Sequence, residues 1–268
     1  MDIISKISKG SKMNQIYIPK NRFGFETGNY VIIKPLEEKK PTENLFFYGI
    51  KEIEPIKIEI IKEIIRIVDN NIKEYQNIIF TGSFLDKGFT FNDIDLIIIT
   101  EEEKNYSSIK EEAYNKFGIK ADILSLSNSS LSKGLETDPL YQIMLSKSIS
   151  KNRIFYKTKN KINYKLLDLH LLKSKVLIEN FNLLKGNEKY NLVRNMIAIY
   201  LYLEGKKLTK DLVDNQIKED FHLKDISELK QNSIDKKKFL IKYKLIYNKT
   251  FSKILEGIKN DAKQKQVN

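Results

Sequence analysis

Residues 77–100 read Asn-Ile-Ile-Phe-Thr-Gly-Ser-Phe-Leu-Asp-Lys-Gly-Phe-Thr-Phe-Asn-Asp-Ile-Asp-Leu-Ile-Ile-Ile-Thr. The run Ile78 to Thr81 predicts a buried strand, Gly82-Ser83 a tight turn, and the isoleucine-rich run after Asp93 a second strand. Side chains alternate across a strand, so Asp93 and Asp95 share one face and Ile94 takes the other. Two carboxylates together at the end of an apolar strand are costly unless a cation lies between them. The turn offers the opposite preference: Gly82 lets a phosphate approach the backbone, and the following amides and the Ser83 hydroxyl can donate to it. One half of the stretch suits a metal and the other an anion.

Gly82-Ser83, nine intervening residues, then Asp93-Ile94-Asp95 resembles the signature of the nucleotidyltransferase superfamily of the DNA polymerase beta type. That family also carries a third carboxylate on a following strand, and Ile119-Lys120-Ala121-Asp122-Ile123-Leu124 supplies Asp122. Taken singly, an Asp-x-Asp can be a solvated strand end and a Gly-Ser an ordinary turn; their order and spacing together carry the resemblance. It implies an α/β (α+β) fold, a mixed sheet flanked by helices. It further implies that Asp93, Asp95 and Asp122 hold Mg²⁺ or Mn²⁺, as the hard carboxylate set without His or Cys also suggests. Gly82 and Ser83 would hold the phosphates of a nucleoside triphosphate, ATP being the expected one. Lys87, in the loop between, would neutralise them, or is simply a solvated loop lysine. Asp122 would help deprotonate an acceptor hydroxyl, which attacks the α-phosphate and expels pyrophosphate.

Composition sets the remaining bounds. A chain of 268 residues can bury a real core and form two domains. Cysteine is absent, which excludes disulfides and thiolate zinc sites and suits a reducing cytoplasm. The two histidines, His170 and His222, lie in helical patterns and read as structural or exposed. No basic start followed by an apolar block opens the chain, so no signal peptide is expected. The apolar run Met196 to Leu203 is far short of the roughly 20 residues of a membrane span, so no membrane partner is expected. The net charge of +12 is uneven: residues 1–150 carry 20 Lys and Arg against 22 Asp and Glu, and residues 151–268 carry 27 against 13. A polyanion such as RNA is a candidate partner for that second part, since lysine clusters neutralise phosphates without reading sequence. Solvated helix faces explain the same excess.

Along the chain, Gln15 to Ile18 and Tyr30 to Lys34 predict a hairpin around Gly28-Asn29. Ile-Pro-Lys at 18–20 and Gly-Asn-x-Val at 28–31 resemble the swapped-hairpin DNA-binding unit of AbrB-type regulators, with a shorter stretch between Pro19 and Gly24. That resemblance implies pairing with a second chain, a homodimer; packing of the hairpin against the catalytic domain is the alternative. Residues 37–54 read as connector with a strand near Asn44 to Tyr48, and Pro55 opens a helix to about Tyr75 with the stripe Ile61, Ile64, Ile65, Val68 and Ile72. Ser107 to Phe117 is a helix closed by Gly118, Ile119 to Ser125 a strand, Ser125 to Lys133 a loop, and Pro139 to Ser146 a helix. Arg153 to Tyr156 resembles the edge strand that closes the family's catalytic domain. Beyond Asn163 the pattern is helical over Leu166 to Leu184, Tyr190 to Glu204, Thr209 to Lys218 and Lys236 to Ile258. The second of these is apolar nearly all round and belongs at a bundle centre. The expected organisation is a hairpin extension over 1–45, a catalytic domain over 46–158 and a basic, acceptor-binding helical bundle over 159–268. The rival function is a nucleic-acid-binding or antitoxin-like module on the same scaffold.

Overall fold

The computed structural model describes residues 7–18, 20, 24–28, 44–102, 104–154 and 160–267, with side chains as far as residue 261. The chain divides into two compact units, residues 1–43 and 44–268. In the first, strand β1 (Ile7–Ser8) pairs antiparallel with β2 (Gln15–Ile16). The partner expected for Gln15 to Ile18, Tyr30 to Lys34, lies outside the described residues.

The second unit is mixed α/β. Its strands are β3 (Phe46–Tyr48), β4 (Asn77–Thr81), β5 (Asp93–Ile99), β6 (Lys120–Leu126) and β7 (Ser148–Ser150), ordered β3-β7-β4-β5-β6. Among the described residues only the β5–β6 pairing is parallel, and helix α2 (Ser107–Phe117) makes that crossover. Gly118 ends α2 in the left-handed conformation, φ +68°, with its N–H on the Tyr114 carbonyl. Alternation sorts the sheet into two cores. Ile78, Phe80, Ile94, Leu96, Ile98 and Ala121 pack against helix α1 (Pro55–Asn71) and α2, with Ile61, Ile64, Ile65 and Val68 of α1 fully buried. Ile79, Ile97 and Ile99 face the other way, onto α3 (Asn128–Thr137) and α4 (Pro139–Ser146) through Leu131, Leu135 and Leu145.

Two expectations are corrected. The Ser-rich stretch 125–133 is not all loop: from Asn128 it is the helix α3. Ser127 accepts the Ser130 N–H at 3.0 Å as its N-cap, while Leu131 and Leu135, one turn apart, are buried. Serine here starts the helix instead of breaking it. The strand after α4 is Ser148–Ser150, not Arg153 to Tyr156, and it lies inside the sheet between β3 and β4, where Ile149 is fully buried. Arg153 and Ile154 are not in a strand, and 155–156 lie outside the described residues.

The helical part follows: α5 (Tyr164–Ser174), α6 (Val176–Glu179), α7 (Gly186–Leu203), α8 (Lys210–Phe221), α9 (Ile226–Lys230) and α10 (Lys236–Val267). The expected helix Leu166 to Leu184 is split: α5 ends at Ser174 and the short α6 begins at Val176. Helix α7 is central, with Val193, Met196, Ile197, Ala198 and Ile199 fully buried among its neighbours. It is tied back to the sheet side by Tyr202, whose hydroxyl donates to the Glu136 carbonyl at 3.0 Å. His170 meets Asp138, the N-cap of α4, at 2.9 Å.

One buried charge fixes the loop that carries the site. Lys57 is fully buried on α1 in line with the apolar stripe. Its ammonium donates to the Asp86 and Gly88 carbonyls at 2.5 and 2.6 Å, contacts Glu54 at 2.9 Å, and lies 5.3–5.7 Å from the ring centres of Phe84, Phe89 and Phe91. Glu54 in turn accepts the Gly88 N–H at 2.5 Å. Replacing Lys57 by Met keeps the volume but leaves two carbonyls without their donor and the Glu54 carboxylate without its cation. Urea denaturation should show a loss of about 3 kcal/mol, the usual cost of removing one partner from a buried ion pair; a Lys57→Met protein as stable as wild type would contradict the role given to this side chain.

Candidate functional site

Strand β4 ends at Thr81, which stands opposite Asp95 in the antiparallel ladder. The chain then turns at Gly82 (φ +80°) into a short 3₁₀ segment, Ser83–Leu85. On the other side of β5, Asp95 is the register partner of Asp122 on β6, and adjacent strands are about 4.8 Å apart. Asp93, Asp95 and Asp122 therefore share a sheet face, while Ile94 and Ala121 are buried in the opposite core and Ile123 packs against it. Asp93 and Asp95 are half-buried and Asp122 is exposed.

The turn and the carboxylates are in direct contact. A Cβ built on Gly82 would lie 1.8 Å from Oδ2 of Asp95, so the Asp95 carboxylate rests where any other residue would place its side chain. The positive φ makes the same demand independently. Burial, and then the charges of Asp93 and Asp122, push the Asp95 carboxyl up to about 6; Arg194 on α7 opposes that rise.

The donors are of the kind a hard divalent cation takes, three carboxylates and a nearby hydroxyl. Among the described residues, however, no three His, Asp or Glu side chains are drawn together closely enough to hold an ion in the geometry present. Ser83 lies half-buried at the first position of the 3₁₀ segment, beside Gly82. Lys87 is on the surface, paired with Glu52 at 3.0 Å with both side chains largely exposed.

Sequence reading did not single out four charged groups around this loop. Lys57 holds it from below. Asp86 closes the 3₁₀ segment, its N–H donating to the Ser83 carbonyl at 3.0 Å. Lys210 at the start of α8 donates to both Asp86 oxygens at 2.7 and 2.6 Å, and Lys147 donates to one of them at 2.7 Å. Burial works to raise the Asp86 carboxyl, but the two lysines outweigh it and hold it below the usual carboxylate range. Only Lys57 left a sequence signal, as a lysine in register with an isoleucine stripe.

Compared with family models, curated proteins and solved structures, the chain matches none. No helix among the described residues is long and apolar enough to cross a membrane.

The raised Asp95 carboxyl has a consequence for stability. Its ionised form is disfavoured in the folded state, so the stability associated with the neutral form is lost as pH rises from about 4 through about 6. Asp95→Asn removes this cost. Without divalent cations, the variant should be more stable than wild type at pH 8 by about 1 kcal/mol, solvent screening at this half-buried position reducing the full linkage effect, and nearly equal to it at pH 4. Urea melts at the two pH values in EDTA check this; a variant less stable at pH 8 would show that Asp95 is not under strain. Gly82→Ala should instead destabilise at both, because its methyl group displaces the Asp95 carboxylate whatever its charge.

Proposed function

We propose that this protein transfers a nucleoside monophosphate from a nucleoside triphosphate, with ATP the expected donor, to a hydroxyl acceptor. The observation that carries this reading is the contact between Gly82 and the Asp95 carboxylate, which sets one member of the acidic face directly against the Gly-Ser turn. Asp93 and Asp95 would hold Mg²⁺ or Mn²⁺, with Asp122 completing the set; the metal, when bound, supplies Lewis-acid stabilisation of charge on the phosphates. The amides after Gly82 and the Ser83 hydroxyl bind phosphate oxygens. Asp122, exposed and the register partner of Asp95, would accept the proton of the acceptor hydroxyl. The acceptor oxygen then forms its bond to the α-phosphorus as the bond to the pyrophosphate oxygen breaks, and pyrophosphate leaves with the electron pair.

The excess of Lys and Arg over residues 151–268 supports a polyanionic acceptor such as RNA. Incubating the protein with each α-labelled triphosphate, Mg²⁺ and a cell extract tests both parts of the reading. Label is expected to pass to RNA, protein or a small molecule with ATP as donor, and to be lost with Asp93→Asn or Asp95→Asn. No transfer from any of the four triphosphates, or undiminished transfer by either variant, would overturn the assignment.

A further inference from the structure

Two lysines from separate elements converge on one carboxylate. Lys147 lies between α4 and β7, and Lys210 opens α8, whose N–H is anchored on the Ser146 hydroxyl at 2.9 Å. Both ammonium groups stand 2.7 Å from the same oxygen of Asp86, so two like charges are held within a few ångströms of each other. Asp86 is the carboxylate hydrogen-bonded to both ammonium groups, and Asp214 of α8 is a second carboxylate whose charge acts on Lys210. The donors are not exhausted. Of three N–H groups each, Lys147 directs one and Lys210 two to Asp86. The three side chains are 19–29 % exposed, shielded enough to strengthen an ionic contact and open enough to be reached.

Their place in the fold gives the ligand. Asp86 is the residue that closes the turn begun at Gly82-Ser83, and Lys57 fixes its carbonyl from the other side. The pair of ammonium groups therefore stands on Asp86, the residue that closes the turn, while the Asp95 carboxylate meets Gly82 at its start, where the cation acting on it is Arg194. A cationic group next to an anionic one suits a metal–polyphosphate complex, with the metal on the carboxylates and the terminal phosphates on the lysines.

We propose that Lys147 and Lys210 bind the terminal phosphates of the nucleotide, and that the Asp86 carboxylate holds the two ammonium groups together in the ligand's absence. This rests on the nucleotidyl-transfer reading. It makes the segment before β7 and the start of α8 part of the nucleotide site, and Asp86 an internal competitor for it.

Calorimetric titration of the full chain with ATP and AMP in Mg²⁺, and with tripolyphosphate in competition, tests the assignment. Wild type should bind ATP more tightly than AMP and lose ATP to tripolyphosphate. Lys147→Met combined with Lys210→Met should weaken ATP by about tenfold or more, as expected for lost charge-assisted hydrogen bonds, while leaving AMP unchanged. Asp86→Asn should bind ATP no less tightly than wild type, because it removes a competitor. A purely structural ion cluster would behave otherwise, with Asp86→Asn and the lysine variant harming ATP binding alike, and that result would overturn the proposal. So would a lysine variant that keeps its preference for ATP. If the double variant does not fold, tripolyphosphate competition in wild type and the sign of the Asp86→Asn effect decide the matter. Failure of wild type to bind any triphosphate removes this proposal and the transfer reading together, whereas ATP binding that is indifferent to the lysines removes this proposal alone.

Discussion

The Asp95 carboxylate lies against the bare Cα of Gly82, and the geometry of the site depends on that contact. It requires that β4 and β5 pair with Thr81 opposite Asp95, and this register is fixed by the side chains behind it. A slip of one residue would turn Ile94, Leu96 and Ile98 out of the α1 core and put Asp93 and Asp95 into it. The isoleucines thus hold the carboxylates in place by having nowhere else to go. Glycine is needed where the two strands meet because a carboxylate occupies the space of its missing side chain.

Around this contact the structure accumulates charge in an ordered way. Carboxylates lie on the strand ends, with Asp95 driven toward protonation by burial and by its two acidic neighbours. Ammonium groups stand at the following loop, two of them on Asp86 and one beneath it on α1. The loop of residues 84–92 carries few regular hydrogen bonds of its own, so it is held by Lys57 and by the lysines on Asp86. Packing adds to this, since Phe84 and Leu85 are fully buried and Phe84 meets Phe91 edge-on at 4.9 Å. The loop is held by the ion pairs at Asp86 and by the packing of Phe84 on Phe91, which bracket it.

The helical part contributes more than bulk. Helix α7 is buried along most of its length, and Tyr190 on it donates to Asp214 of α8 at 2.7 Å. That contact, with the Lys210 anchor on Ser146, locks α8 at the angle that brings Lys210 to Asp86. The lysine cluster on Asp86 is therefore built on helix packing, and the acidic face on strand pairing.

The sequence by itself determined the strand pair, the shared face of Asp93 and Asp95 and the α1 stripe, because each follows from a period of two or 3.6 in apolar residues, and the central place of α7, because that segment is apolar nearly all round. It placed Asp122 on the following strand, and the parallel register then set it beside Asp95. It misread 125–133, where serines cap a helix whose buried leucines are too sparse to announce it, and it chose Arg153 to Tyr156 over Ser148–Ser150, because a three-residue strand with two serines has no pattern of its own. Only the tertiary structure could bring together Asp86, Lys147 and Lys210, which are 61 and 124 residues apart along the chain. Lysine in a lysine-rich sequence carries no local signal; its meaning is set by which carboxylate the folded chain places within reach, and that is decided by how helices pack onto a sheet.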